Sequence, residues 1–376
     1  RSTLFPYTTL FRSLDNHYDI AEKYWGLWLK QNNTALSAKD KKTIVEYLNG
    51  TEILKGQEDN DTVPDEVKKL FSKVQKNIPK YINAQAVTLL SAKGRIPFEP
   101  GCFDLLVIDE ASQCDIASAI PLLYRAKRVV VIGDLMQLPH VSTMARGRDM
   151  QLLKDSGVDD LSWLYSVSPL FKLATSRVGG PGVVTLREHH RSHADIIDFS
   201  NKEFYGGDLI TATDYKRLEL PAEKEVGVQW IDVVGTTRRP TRGSATNEEE
   251  ADAICEKLSR YASVDYKGTI GVISPFRAQA NLIEKKMQAD EEIYNKLKAR
   301  NLLDINTVHQ FQGDEKDIIL FSQTISNGAK PGQVNFLKDN GNLFNVAITR
   351  AKALLISVGN EEYCQSCEVP YLRHFV

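Results

Sequence analysis

The chain has 376 residues, of which 42% are hydrophobic and 26% charged, a balance typical of globular proteins and a length sufficient for two domains. Its formal net charge is −2, from 47 basic and 49 acidic residues, so any surface for a polyanion must be local rather than global. No apolar run approaches the ~20 residues that span a bilayer, and an odd set of five cysteines argues against a disulfide scaffold and for a reducing, cytoplasmic setting.

Residues 1–13 read as an artefactual leader. Ser2-Thr3-Leu4-Phe5 is nearly repeated as Thr8-Thr9-Leu10-Phe11, with Arg-Ser at both ends. On this reading the natural sequence extends upstream of Leu14. Residues 14–86 carry a helical pattern, with Ile20, Tyr24, Leu27 and Trp28 at helical spacing and Ile44, Val45 and Leu48 repeating it. An acidic stretch over 56–65 predicts a loop, and a further helix is expected from Pro64 to Val74.

From residue 87 the texture becomes α/β. A strand is predicted around Val87 to Leu90. Further strands are predicted at Phe103–Ile108 and Arg128–Ile132, with a helix over Ala117–Tyr124 between them, which implies a right-handed crossover between parallel strands. Helical pieces fill 142–176, and Gly179-Gly180-Pro181-Gly182 is the candidate hinge between domains. A second alternating block follows, with strands at Val228–Val234, Thr269–Ile273, Ile318–Thr324 and Leu354–Val358. Helices are predicted at Ala194–Phe204, Asn247–Tyr261, Arg277–Met287 and Phe344–Ala351. Two such blocks predict parallel sheets facing each other, with chemistry beyond the carboxyl ends of the strands. The division is then 87–178 for the remainder of a first domain and 183–376 for a second.

Two strand ends carry the strongest chemical signal. Leu106-Val107-Ile108-Asp109-Glu110-Ala111-Ser112 ends an apolar strand in adjacent carboxylates, a costly arrangement unless a cation or reaction uses them. It suits a magnesium nucleotide, with Asp109 on the metal's water shell and Glu110 polarising the attacking water. Val131-Ile132-Gly133-Asp134-Leu135-Met136-Gln137-Leu138-Pro139 is a second strand running into a polar loop. The parallel arrangement predicts Gln137 close to Glu110, where its amide could meet a γ-phosphate or the attacking water.

In order and spacing this pair resembles motifs II and III of superfamily 1 helicases, more narrowly the branch of the nonsense-mediated-decay helicase. Four further stretches are similar to that family. Leu186-Arg187-Glu188-His189-His190-Arg191-Ser192 resembles its motif IV, and Ile273-Ser274-Pro275-Phe276-Arg277-Ala278-Gln279 a strand-to-helix turn of its second domain. Asn306-Thr307-Val308-His309-Gln310-Phe311-Gln312-Gly313-Asp314-Glu315 resembles motif V, and Asn345-Val346-Ala347-Ile348-Thr349-Arg350-Ala351-Lys352 motif VI.

The resemblance implies two RecA-like parallel-sheet domains facing across a nucleotide cleft, the first incomplete here, and ATP with Mg²⁺ as cofactors. It implies Glu110, Gln137, Arg191 and Arg350 as the catalytic set, the arginines supplying charge to the transferring phosphoryl group. Asp109 is the metal-side ligand, and Gly313 and Glu315 approach the nucleotide. Single-stranded nucleic acid, DNA ahead of RNA, is the implied partner, with Ser91, Lys93, Ser274, Arg277, Thr307 and His309 as candidate contacts and His309 as a link to the nucleotide.

Other signals are plainer. Ser244-x-x-Asn247-x-x-Glu250 reads as a capping box, and the Cys364-x-x-Cys367 pair has no second ligand pair nearby to make zinc the reading. The phosphate loop of this family needs a Gly-Lys dipeptide, and none occurs in the sequence. The expectation is therefore an ATP-dependent helicase or translocase represented without that loop and hydrolysing ATP poorly by itself. The alternative is a clamp of the same fold that binds nucleic acid without turnover.

Overall fold

The computed structural model describes residues 23, 27, 37–55, 84–92, 96–221, 225–240 and 244–376. Leu27 is helical, whereas Ile20, Tyr24, Trp28, the predicted helix from Pro64 to Val74 and the candidate Lys93 lie outside the described residues. The chain divides into two compact units: Arg1–Leu106 with Ala117–Val129, and Val107–Ile116 with Val130–Val376.

The first unit contains α1 (Ala38–Lys55) and most of α2 (Ile116–Tyr124). Arg125 anchors it. Only 3% exposed, its guanidinium donates to the carbonyls of Pro97 at 2.8 Å and Pro121 at 2.6 Å and lies over the Phe98 ring. The expected strand at Val87–Leu90 does not form. Leu89 and Leu90 make a turn instead, with the Thr88 carbonyl accepting from the amides of Ser91 and Ala92. A short apolar segment becomes a strand only beside a partner that takes its amides, and no described strand runs alongside this one.

Strands β1 (Leu106–Ile108) and β2 (Val129–Val131) form a two-stranded sheet and run into the second unit. There follow α3 (Arg146–Asp155), α4 (Leu170–Val178), β3 (Glu188–His189), α5 (Ala194–Phe204), β4 (Ile210–Thr211), β5 (Gly227–Asp232), β6 (Thr237–Arg238) and β7 (Thr246–Asn247). Next come α6 (Glu248–Ser263), β8 (Ile270–Ser274), α7 (Arg277–Gln288), α8 (Glu291–Lys298), β9 (Leu303–Thr307) and β10 (Lys316–Ser322). The chain closes with α9 (Pro331–Asp339), α10 (Gly341–Ile348), β11 (Ala351–Gly359), α11 (Glu361–Ser366) and α12 (Pro370–Phe375).

Five strands make a parallel sheet in the order β5-β11-β10-β8-β9. Its side chains alternate between two cores. Ile318, Leu320, Leu354, Ile356 and Val358 point to a layer closed by Ile254 and Leu258 of α6 and Ile283 and Met287 of α7. Ile319, Phe321 and Leu355 point to the other, closed by Ile196 of α5, Val346 of α10 and Leu372 of α12. Helices on both faces explain why β10 and β11 read as continuous apolar runs, since each is covered twice. Full burial of one such side chain stabilises by roughly 1.5–3 kcal/mol. Strand β9 was not expected. It is an edge strand whose Leu303 and Ile305 are buried and whose Asp304 and Asn306 are not.

Candidate nucleotide and nucleic-acid site

The carboxylate pair stands at the end of β1, and both residues are exposed. Glu110 has a φ of 51°, a left-handed conformation that costs a non-glycine residue of order 1–3 kcal/mol. Its amide donates to Asp109 Oδ1 at 2.9 Å, and Gln113 Nε2 donates to its Oε2 at 3.2 Å. The turn is fixed from beside it, where the Ala111 amide donates to Ile132 O at 2.8 Å and the Asp134 amide to Ser112 Oγ at 3.1 Å.

In the following loop Gln137 turns its amide to Asp134 Oδ2, at 3.2 Å, rather than to a group on Glu110. Parallel strands bring the two loops together, but the nearest charge to Gln137 belongs to its own loop. Asp134 is thus a member of the site that the motif pattern did not single out, although it lies within the quoted stretch.

Arg191 follows β3 and its Nε lies 2.5 Å from Glu315 Oε2. Arg350 sits on the turn between α10 and β11 and is only 4% exposed. Its Nε donates to Val346 O at 3.1 Å and its Nη1 to Asp314 O at 3.2 Å. Burial, and then repulsion from Arg191, lowers its pKa to about 10, opposed by the negative charges of Glu110 and Glu315. Arg350 therefore remains charged at neutral pH in a place where a further anion would be favoured. His189 lies in the same field. Burial first, then Arg191, His190 and Arg350, lower its pKa to about 4, and its Nε2 accepts from the Ser192 amide at 2.9 Å, so the neutral ring carries its proton on Nδ1.

These positions correct one expectation. Arg350 and Glu315 immediately precede β11 and β10, so they stand at the amino edge of the five-stranded sheet, not beyond its carboxyl ends. The chain reaches β11 from the end of α10, and that helix-to-strand turn holds the arginine. Gly313 has a φ of 86° with open space beside it, a conformation suited to glycine.

Of the candidate nucleic-acid residues, Ser274, Arg277, Thr307 and His309 lie at the opposite, carboxyl edge. Arg277 opens α7, is exposed, and lines an open polar depression of about 300 Å³ with Asn281, Asn306, Thr307 and Gln310. Thr307, at the end of β9, is 7% exposed, and His309 is exposed on the turn after it. The loop from Val308 to Glu315 runs from this edge to the amino edge. Ser274 is different. It is fully buried, bonded to Thr324 Oγ1 at 3.0 Å and accepting from the Phe276 amide at 3.1 Å, so its hydroxyl offers nothing to a strand. In the first unit the Ser91 hydroxyl is turned to its own loop, donating to Thr88 O at 3.0 Å.

Asn247 caps α6 as expected, accepting from the Glu250 amide at 3.2 Å. Glu250, however, turns into the sheet, where its Oε2 accepts from Ser322 Oγ at 2.7 Å and the Thr324 amide at 2.8 Å. Burial pushes its pKa up to about 8, against the pull of those hydrogen bonds.

The AAA domain family matches residues 167–362, more than half of the chain, and a second AAA domain family matches residues 30–143. Helicase sen1 of Schizosaccharomyces pombe is 29% identical over 94% of this chain and 20% of its own length. DNA polymerase alpha-associated DNA helicase A of Saccharomyces cerevisiae is 30% identical over 72% of this chain and 40% of its own length. The chain thus spans less than half the length of these relatives. A solved complex of arterivirus nonstructural protein 10 (helicase) with DNA covers 72% of this chain and 42% of its own, at 14% identity and a TM-score of 0.33. The chain belongs to the AAA-domain family of superfamily 1 helicases, in the branch that includes the nonsense-mediated-decay helicase.

Proposed function

We propose that the chain is the hydrolytic part of an ATP-dependent helicase or translocase acting on single-stranded nucleic acid. The observation that carries this reading is the gathering of Arg191, Glu315 and buried Arg350 at one sheet edge, within the field of Glu110. A clamp without turnover has no use for two guanidiniums held against their mutual repulsion. Phosphoryl transfer does, because negative charge develops on the transferring group.

In this account Glu110 polarises the attacking water, Gln137 senses the γ-phosphate, and Arg191 and Arg350 stabilise the transition state. Gly313 and Glu315 border the nucleotide, with open space beside Gly313 for close approach of backbone. Mg²⁺ is carried mainly by phosphate and water, with Asp109 as its protein-side partner. When bound, that ion supplies charge neutralisation to the phosphates. The sequence has no Gly-Lys loop, so the reading assigns the grip on the β- and γ-phosphates to residues outside it and turnover to the full-length protein.

Nucleic acid is assigned to the carboxyl edge, with Arg277, Thr307 and His309 as contacts. The loop from Val308 to Glu315 supports His309 as a link between strand and nucleotide, since it spans both edges. DNA is favoured over RNA, in line with the DNA helicase named among the relatives. Residues 87–178 and 183–376 are read as parts of two RecA-like domains with Gly179–Gly182 as their pivot. Among the described residues no helix is long and apolar enough to cross a membrane, and five free cysteines support a reducing cytoplasm.

The test is strand-stimulated ATP hydrolysis by the full-length protein and its Glu110→Gln variant. The variant should bind strand and lose turnover. A wild-type protein that binds strand with no turnover would instead favour the clamp.

A further inference from the structure

A chain of polar side chains joins the loop after β2 to the helix that carries Arg350, and the proposed chemistry does not use it. Tyr205, at the end of α5, donates its hydroxyl to Asp134 Oδ2 at 2.7 Å. That same oxygen accepts from Gln137 Nε2 at 3.2 Å, while Asp134 Oδ1 accepts from the Met136 amide at 2.8 Å. On the other side of Tyr205, Asn345 Nδ2 donates to the phenol oxygen at 3.1 Å and to Met136 O at 2.8 Å. Asn342, also on α10, holds the carbonyls of Leu135 and Gln137 at 3.0 and 2.8 Å.

The helix transmits the connection onward. The backbone carbonyl of Asn345 accepts from the Thr349 hydroxyl at 2.8 Å, and Thr349 ends α10 directly before Arg350. Asn345 is 1% exposed, and its Oδ1 has no hydrogen-bond partner among the described residues. A buried amide left half satisfied is costly, and loss of the Nδ2 bonds as well would leave the whole group unpaired in the interior.

We propose that Tyr205 is a positioning residue that couples the orientation of Gln137 to that of Arg350, through Asp134 on one side and Asn345 on the other. This rests on the assignment of Gln137 and Arg350 given above. The direction of the effect follows from the shared oxygen. A hydroxyl donating to Asp134 Oδ2 draws on its charge and weakens its hold on the Gln137 amide. Without the hydroxyl, Asp134 keeps Gln137 to itself, and α10 is tied to the loop only through main-chain carbonyls. Nucleotide binding is untouched, while the step that needs Gln137 released and Arg350 in register is slowed.

The experiment measures strand-stimulated turnover in the full-length protein for wild type, Tyr205→Phe, Gln137→Ala and the double variant, with Asp134→Asn as a second break in the same chain. Tyr205→Phe keeps the ring, and it should lower kcat roughly tenfold to a hundredfold, the loss of one hydrogen bond to a charged group, with KM for ATP within about twofold. The double variant should fall no further than Gln137→Ala alone, since both act on one element. Losses that multiply would overturn the coupling, as would a raised KM at unchanged kcat. A wild-type protein with no turnover would instead overturn the functional assignment itself, a result visible before any variant is compared.

Discussion

Gly133 stands where the loops bearing Glu110 and Gln137 touch, and its lack of a side chain is structural. A Cβ placed there would lie 2.8 Å from Phe171 Cγ, 2.9 Å from Phe171 Cδ2 and 3.0 Å from the backbone nitrogen of Ser112. The ring could swing, but the main chain of Ser112 cannot. It is pinned by Ala111, which donates to Ile132 O at 2.8 Å and accepts from the Phe171 amide at 3.2 Å. Gly133→Ala therefore forces a backbone shift, and overpacking of this kind costs about 1–3 kcal/mol. The assay is urea unfolding with an unchanged m-value, so that the shift in midpoint reads stability alone. Gly147, near the start of α3 with nothing within 4 Å of its Cβ position, is the control, and Gly147→Ala should stabilise by up to about 1 kcal/mol. If Gly133→Ala unfolds within about 0.5 kcal/mol of wild type, the scale of an ordinary surface change, the steric argument is wrong.

The Glu250→Ala variant should lose about 2–4 kcal/mol in the same assay, because Ser322 and the Thr324 amide are left buried without their acceptor; a loss near zero would mean that water or a neighbour replaces it. His189 gives a pH dependence. Below about pH 6.5 the unfolded chain binds a proton that the folded ring refuses until about pH 4, so its contribution to stability is present at neutral pH and lost as pH falls through that window. With the ring partly open to water, the loss is about 1–2 kcal/mol. His189→Gln should flatten that part of the stability profile, and an unchanged slope between pH 6.5 and 4 would remove His189 as its source.

Much of the second unit was legible because its signals are local. Doubly covered strands such as β10 write themselves as apolar runs, and α5 opens on His193, whose own side chain accepts from the Asp195 amide. The edge strand β9 leaves little trace in the sequence because only Leu303 and Ile305 carry apolar alternation, and its Asn306-Thr307 end coincides with the stretch that resembles motif V. The burial of Ser274 depends on Thr324, fifty residues away in sequence, and no local pattern records such a contact. The same holds for Tyr205 and Asn345. Asn345 lies in the stretch that resembles motif VI and Tyr205 directly follows the predicted helix Ala194–Phe204, yet their meeting beside the Asp134 loop is created by packing α5 and α10 over one face of the sheet. The edge on which Arg350 stands departs from the carboxyl-end rule because that rule describes where a sheet binds its own ligand. It does not govern a residue delivered by the turn into a strand.

The most direct test of the central claim is strand-stimulated ATP turnover by the full-length protein carrying Arg350→Ala, with Arg350→Lys beside it to keep the charge and with melting temperature as a check on folding. The account predicts a fall of roughly 10³-fold or more for a lost arginine finger, partial recovery with lysine, and strand affinity close to wild type. Turnover within about tenfold of wild type, far below the worth of such a finger, would contradict it.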